Sequence, residues 1–295
     1  MTETVGVGGR ELRLSNLDKE LYPGFAKAAV IAHYVQLAPV LLPHLRGRPV
    51  TLRRWPNGVG AASFVQKHAV RDSPDWVRTE LVPGRSSDPV RHAVLDELAS
   101  LVWAANLAAL ELHVPQWRFD DGGARQPPDL LVFDLDPGPP ADVLDCCRLA
   151  VRLNELLAAD GLAAWVKTSG SVGLHVMVPI HPGPPSAPSA YAKRLAQQLA
   201  EEQPKQVLWQ MTRDLRAGKV FVDWSQNNPA KTTVAPYSLR GKASPTVSTP
   251  LTWTEVATCR DAAELVFTPA QVHRRVDEHG DLMADLGNHA APLPG

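Results

Sequence analysis

The sequence predicts an α+β fold whose sheet is mainly antiparallel. Three observations carry this. Short apolar runs return on themselves through turn residues, as in Val50–Trp55 and Ser63–Lys67 around Pro56-Asn57-Gly58, and in Ala164–Thr168 and Leu174–Val178 around a Gly-Ser loop. Other segments repeat apolar residues at helical spacing. No internal repeat and no clear linker divides the 295 residues.

In chain order, Leu12–Leu14 leads into Ser15-Asn16-Leu17-Asp18-Lys19, and helical spacing covers about Lys27 to Leu42, with Pro43 expected to end the helix. After the first hairpin, a helix is expected from about Pro89 to Ala109, opened by Asp88 as N-cap. The run Leu130-Leu131-Val132-Phe133 reads as a buried strand ending in Asp134-Leu135-Asp136-Pro137-Gly138. A helix over Ala141–Ala159 is closed by Asp160-Gly161. The second hairpin, a Pro-rich loop over Pro182–Pro188 and a helix from about Ser189 to Glu202 follow. Lys219–Trp224 is a further apolar strand that ends in an acid, and the tail after about Asp281 reads as irregular.

A 44% hydrophobic content fits a folded protein of one large or two modest domains. No apolar run approaches the roughly 20 residues of a membrane span, and Met1-Thr2-Glu3-Thr4 lacks the build of a signal peptide, so a cytoplasmic protein without membrane partners is expected. Cys146, Cys147 and Cys259 have no metal-ligand spacing and read as small core residues. The net charge of -1 gives no global argument for nucleic acid. Local clusters, Arg46, Arg48, Arg53 and Arg54, then Arg213, Arg216 and Lys219, can follow a phosphate backbone, though each taken alone reads first as a solvated face.

The acids carry the chemistry. Strand periodicity puts Asp134 and Asp136 on one face, where like charges repel unless a cation neutralises them; a turn cap or a solvated edge has the same pattern. Asp223, at the end of Val220-Phe221-Val222, repeats the motif. Three carboxylates from two strands are a template for two Mg²⁺ or Mn²⁺ ions, one activating a 3′-hydroxyl and the other bracing a triphosphate. Lys167-Thr168-Ser169-Gly170-Ser171-Val172-Gly173 has the small residues of a phosphate loop or of a plain hairpin turn. His175 is polar in an apolar strand, as a buried histidine or a site residue would be, and Arg240 fits a phosphate clamp or a solvated loop.

Together, Asp134–Gly138, Lys167-Thr168-Ser169-Gly170, Gly173-Leu174-His175, Phe221-Val222-Asp223-Trp224-Ser225-Gln226-Asn227, Lys231-Thr232-Thr233 and Ala235–Gly241 resemble, in order, the polymerase domain of bacterial ligase D, in the archaeo-eukaryotic primase superfamily. The resemblance runs from about Leu12 to Leu286. It implies a single domain over 1–295 with an irregular tail at 287–295, comprising a primase-polymerase core of antiparallel sheet flanked by helices and an N-terminal α/β part packed on it. No ligase module is recognised, which implies a free-standing homologue or an excised domain.

The resemblance also implies nucleotide addition to 3′ ends, gap filling and end joining, with ribonucleotides preferred and two Mn²⁺ or Mg²⁺ ions per site. Asp134, Asp136 and Asp223 match the metal triad. Arg53, His113, Ser169, His175, Gln226 and Arg240 match nucleotide-binding positions, for NTP or dNTP. Asn16, Lys19 and Lys27 match residues that hold the 5′-phosphate of a gap, overhang or broken end; Phe64 matches an aromatic that stacks on template bases, and Lys67 a DNA contact. A separate DNA ligase and a Ku-type end-binding protein are the implied functional partners.

Three positions depart from the pattern. Val172 stands where a lysine is usual, Arg53 where a lysine is common, and Val65 replaces the second of two adjacent aromatics. Val65 implies weaker template stacking and Val172 one cation fewer at the triphosphate, so an active enzyme that is slower or binds nucleotide less tightly is expected. A catalytically weak or inactive DNA-end binding and synapsis module is the alternative to a polymerase, and a metal-dependent nuclease is a third reading of the same acids.

Overall fold

The computed structural model describes residues 2–69, 73–82 and 89–294. The chain forms two compact units, one of Met1–Arg125, Thr233–Val247 and Thr268–Gly280, the other of Gln126–Thr232, Ser248–Phe267 and Asp281–Gly295.

The second unit is built on six strands in the order Val207–Leu208, Val220–Asp223, Leu130–Pro137, Leu174–Pro179, Trp165–Thr168 and Pro250–Leu251. Every neighbouring pair is antiparallel except the first, which is parallel. Leu130, Leu131, Val132 and Phe133 are all buried in the acidic strand, the continuous apolar run of a strand covered on both faces. Each such side chain favours burial by about 1.5–3 kcal/mol, and a slip of one residue would turn the acids to the opposite face. The apolar run thus fixes the register that places Asp134 and Asp136.

Helices Val143–Ala159 and Ala187–Glu202 pack against the acidic strand. The first starts where Asp142 accepts from the backbone N–H groups of Leu144 and Asp145, and buries Cys146, Leu149, Ala150, Leu153 and Leu157 at helical spacing. It ends at Asp160, as the sequence suggests. Cys146, Cys147 and Cys259 are free and buried, the expected small core residues.

The first unit holds an antiparallel sheet ordered Thr233–Val234, Ala109–Val114, Thr51–Arg54 and Phe64–Gln66. The expected hairpin is present, but two expected helices differ. Pro43 does not end the first helix, which runs Lys27–Leu45 with Pro39 and Pro43 inside it. Pro43 falls in the last turn, where the Arg46 N–H still reaches the Leu42 carbonyl, and Val30, Tyr34, Leu37, Leu41 and Leu45 anchor the helix in the core. By length and composition this helix is also apolar enough to cross a membrane, which corrects the expectation that no segment comes near that limit. Its buried face packs against Leu98–Asn106 and Pro269–His279 of the same unit.

The expected helix from Pro89 to Ala109 is three elements. Val90–Ala93 is a strand paired antiparallel with Thr79–Val82, only Leu98–Asn106 is helical, and a strand starts at Ala109. Glu97, with Ser100, caps this short helix; Asp88, the expected cap, lies outside the described residues. Pairing in the tertiary fold overrides the local apolar spacing there.

Candidate active site

One polar row crosses the six-stranded sheet. Lys167 pairs in register with His175, His175 with Asp134, and Asp134 with Asp223. Opposed residues of antiparallel strands point to the same face, so the row is one line of side chains, and Asp136, two residues beyond Asp134, shares its face.

The carboxylates of Asp134 and Asp223 converge. Asp223 Oδ1 accepts from the Ser225 N–H at 3.0 Å and from the Ser225 hydroxyl. Its Oδ2 accepts from Gln226 Nε2 at 2.9 Å and lies 3.8 Å from Lys231 Nζ. The same Gln226 nitrogen reaches Asp134 Oδ2 at 3.3 Å, while Asp134 Oδ1 stands 3.2 Å from His175 Nε2. Lys231 also donates to the Ser225 hydroxyl. Among the described residues, no three His, Cys, Asp or Glu side chains are gathered as a ready-made ion cage. Donors from Gln226, Ser225, Lys231 and His175 offset the repulsion between the acids instead.

This donor set fits a hard divalent cation. Two carboxylate oxygens from neighbouring strands already accept from one amide nitrogen, and a third carboxylate stands on the same face; a cation held by Asp134 and Asp223 would take the place of the Gln226 amide. The turn carrying Gln226 is itself pinned by Asn227, which is buried and pairs like a strand neighbour with Val132, accepting its N–H at 2.8 Å and donating to its carbonyl at 2.7 Å.

The expected phosphate loop is ordered by Ser169, whose hydroxyl accepts from the N–H groups of Ser171 and Gly173 at 3.2 Å each. A Cβ on Gly173 would stand 2.0 Å from the Leu135 carbonyl oxygen, so the loop approaches the acidic strand as only glycine permits. Val172 is 58% exposed at its tip.

In the first unit, Arg53, His113 and Arg240 surround Glu111, which is 1% exposed. His113 Nε2 donates to Glu111 Oε2 at 2.8 Å, Arg240 Nε is 3.3 Å from Oε1, Arg53 Nη1 is 3.7 Å from Oε2, and the Gly241 N–H donates to Oε1 at 3.0 Å. Burial raises the Glu111 carboxyl, but the bond from His113, the charges of Arg240 and His113 and the Gly241 N–H outweigh it and bring the pKa down to about 2. His113 is itself held below the usual histidine range, first by burial. Arg53 also lies over the Trp55 ring at 4.9 Å, and a Cβ on Gly241 would strike that ring at 2.1 Å. One ionised carboxylate therefore orients three of the expected nucleotide-binding side chains.

Asn16, Lys19 and Lys27 are also brought together. The Lys19 N–H donates to the Asn16 carbonyl at 3.1 Å and the Lys27 N–H to the Lys19 carbonyl at 2.8 Å. Lys27 is the first residue of its helix, where the positive end of the dipole disfavours a cation and welcomes an anion. Burial first, then the charges of Lys19 and Arg54, lower its pKa to about 8. Phe64 is 45% exposed with the Arg54 guanidinium 5.0 Å from its ring centroid, and Lys67 is exposed one residue past that strand. Of the basic clusters, Arg48 is instead buried, donating to the Pro115 carbonyl, and Arg216 lies over the Phe221 ring at 4.0 Å.

Sequence reasoning did not single out Glu111 or Asn227, which hold these elements in place, nor the place of Lys167 in the polar row. For Glu111 a signal existed: in Ala109-Leu110-Glu111-Leu112-His113 a charge and a histidine stand two apart in an apolar strand.

The family model for LigD, primase-polymerase domain, matches residues 26–283. The chain belongs to this family. LigD of Mycolicibacterium smegmatis, a multifunctional non-homologous end joining protein, is 45% identical over 278 residues, covering 93% of this chain and 36% of that protein. The bifunctional LigD of Bacillus subtilis is 30% identical over 274 residues, with 92% and 43% covered. The chain thus spans roughly two fifths or less of the curated LigD proteins that it matches. The polymerase domain of Mycobacterium tuberculosis ligase D, solved in complex with DNA, superposes with a TM-score of 0.88 at 41% identity over 95% of this chain and 99% of that one. The LigD primase-polymerase resemblance and the α+β class with dominant antiparallel pairing hold as expected.

Proposed function

We propose that this LigD-type domain is a metal-dependent nucleotidyltransferase that extends 3′ ends, fills short gaps and adds nucleotides, with ribonucleotides preferred, at DNA ends during non-homologous end joining. The observation that carries the reading is the in-register pairing of Asp134 with Asp223, their Oδ2 atoms aimed at one donor, with Asp136 on the same face. Two Mn²⁺ or Mg²⁺ ions would neutralise charge on the triphosphate and activate the attacking 3′-hydroxyl.

The protein's own groups bind and orient. In the second unit Asp134, Asp136 and Asp223 would hold the cations, Ser169 and Gln226 offer polar groups to the nucleotide, and His175 faces Asp134; in the first unit Arg53, His113 and Arg240, fixed by Glu111, offer donors to phosphate oxygens. Asn16, Lys19 and Lys27 take a 5′-phosphate, whose charge offsets the burial, and then the neighbouring cations, that depress Lys27. Phe64 offers a face for template stacking beside Lys67, an interaction of about 1–3 kcal/mol per base. The names of the relatives support a role in non-homologous end joining, within which a DNA ligase and a Ku-type end-binding protein are the proposed partners and the cytoplasm the proposed location.

With Mn²⁺, a 5′-phosphorylated gapped duplex and labelled nucleotides, the protein is expected to extend the primer and Asp134→Ala to be inactive. Activity surviving in Asp134→Ala would sink the reading. The exposed Val172 favours a second reading, an end-binding and synapsis module of low activity. End binding with no incorporation in any divalent metal would select it.

A further inference from the structure

Lys167 is 0% exposed, on a strand in the sheet that carries the acids, and nothing in the nucleotide-transfer reading uses it. Burying an ammonium is costly unless its protons are well used. Here they are directed. Lys167 Nζ donates to Ser248 Oγ at 2.7 Å, and Ser248 passes its own proton to the Thr168 carbonyl at 2.9 Å, so the hydroxyl is committed as an acceptor toward the lysine. The same Nζ stands 3.0 Å from His175 Nδ1. With Lys167 as an ammonium, which has protons to give and no lone pair, Nδ1 accepts and the imidazole proton lies on Nε2. Nε2 is the atom that faces Asp134 Oδ1 at 3.2 Å.

The direction of every bond in this row therefore follows from one end. Lys167, His175 and Asp134 are successive in-register neighbours on three strands, and the row terminates in the carboxylate whose second oxygen converges with Asp223. We propose that Lys167 is a positioning residue for the metal centre: by fixing the Nε2–H tautomer of His175 it anchors Asp134 through Oδ1 and leaves Oδ2 turned toward the oxygen of Asp223. An imidazole of the other tautomer would present a lone pair to the carboxylate, and Asp134 would lose the bond that orients it. The inference rests on reading Asp134 and Asp223 as cation ligands.

The test reads the imidazole and the metal separately. Nitrogen-15 NMR of the full chain, with His175 assigned through His175→Gln, is expected to show a protonated Nε2 and a bare Nδ1. Lys167→Met is expected to lose that preference and to bind Mn²⁺, followed by the EPR signal of the free ion, about 10- to 100-fold more weakly, the range for groups that orient a metal ligand. A proton on Nδ1 of His175 in the unsubstituted protein overturns the proposal without any variant. So does a folded Lys167→Met with unchanged tautomer and unchanged Mn²⁺ affinity. If Lys167→Met does not fold, Ser248→Ala, which removes one anchor of Nζ, is expected to weaken Mn²⁺ binding in the same direction, and no change in it overturns the proposal. Asp134→Asn separates the two ideas: unchanged Mn²⁺ affinity there defeats the metal-site reading itself, whereas lost affinity there with none lost in a folded Lys167→Met defeats only the role of Lys167.

Discussion

Replacing Glu111 with glutamine keeps the shape of the side chain and removes the charge around which Arg53, His113 and Arg240 are arranged. The carboxyl falls from its ordinary 4.5 to about 2 on folding, which at 1.36 kcal/mol per pH unit is worth about 3 kcal/mol at neutral pH. That agrees with the roughly 3–5 kcal/mol lost when one partner of a buried ion pair is removed. Because the folded state holds the proton less tightly than the unfolded chain, this stability is fully present above about pH 4.5 and disappears as pH falls toward about 2. Urea unfolding of both proteins at pH 7 is expected to show Glu111→Gln about 3 kcal/mol less stable, with the gap narrowing steadily below about pH 4.5. Nucleotide affinity is expected to fall as well, since the three side chains lose their common anchor. A difference below about 1 kcal/mol at pH 7, or a gap that does not narrow on acidification, would refute the account of Glu111 as an ionised hub.

Asn227→Leu is expected to cost about 2–4 kcal/mol, because the buried N–H and carbonyl of Val132 lose their partners, and to weaken Mn²⁺ binding by releasing the turn that follows Asp223 and carries Gln226; unchanged denaturation midpoints would count against it. Val172→Lys, on an exposed loop tip, is expected to leave stability unchanged and lower the apparent KM for nucleotide about two- to fivefold, the scale of one partly solvated charge pair; no change in KM contradicts the assigned phosphate loop. Since Lys27 loses its proton near pH 8 in the free protein, preference for a 5′-phosphorylated over a 5′-hydroxyl oligonucleotide is expected to shrink between pH 7 and pH 9 in an anisotropy titration; a constant ratio removes Lys27 from the phosphate site.

The sequence by itself determined the features that depend on periodicity and on local chemistry. A four-residue apolar run must be buried, so it fixed a strand with Asp134 and Asp136 on one face, and the same pattern at Val220–Asp223 supplied the third acid. The hairpin around Gly58, the helix capped by Asp142 and the family itself were legible for the same reason. The helix boundaries at Pro43 and Pro89 were not, because pairing with distant strands and packing of an apolar helix face outweigh the local signals there.

What only the tertiary structure decided is register and burial. That Asp134 faces Asp223 rather than a neighbour, that Lys167 and His175 continue the same row, and that Glu111 is the ionised centre of three cationic or imidazole groups depend on which strands lie side by side. Strand pairing joins residues far apart in the chain, and no local pattern around Lys167 records that its ammonium lies two strands from a carboxylate.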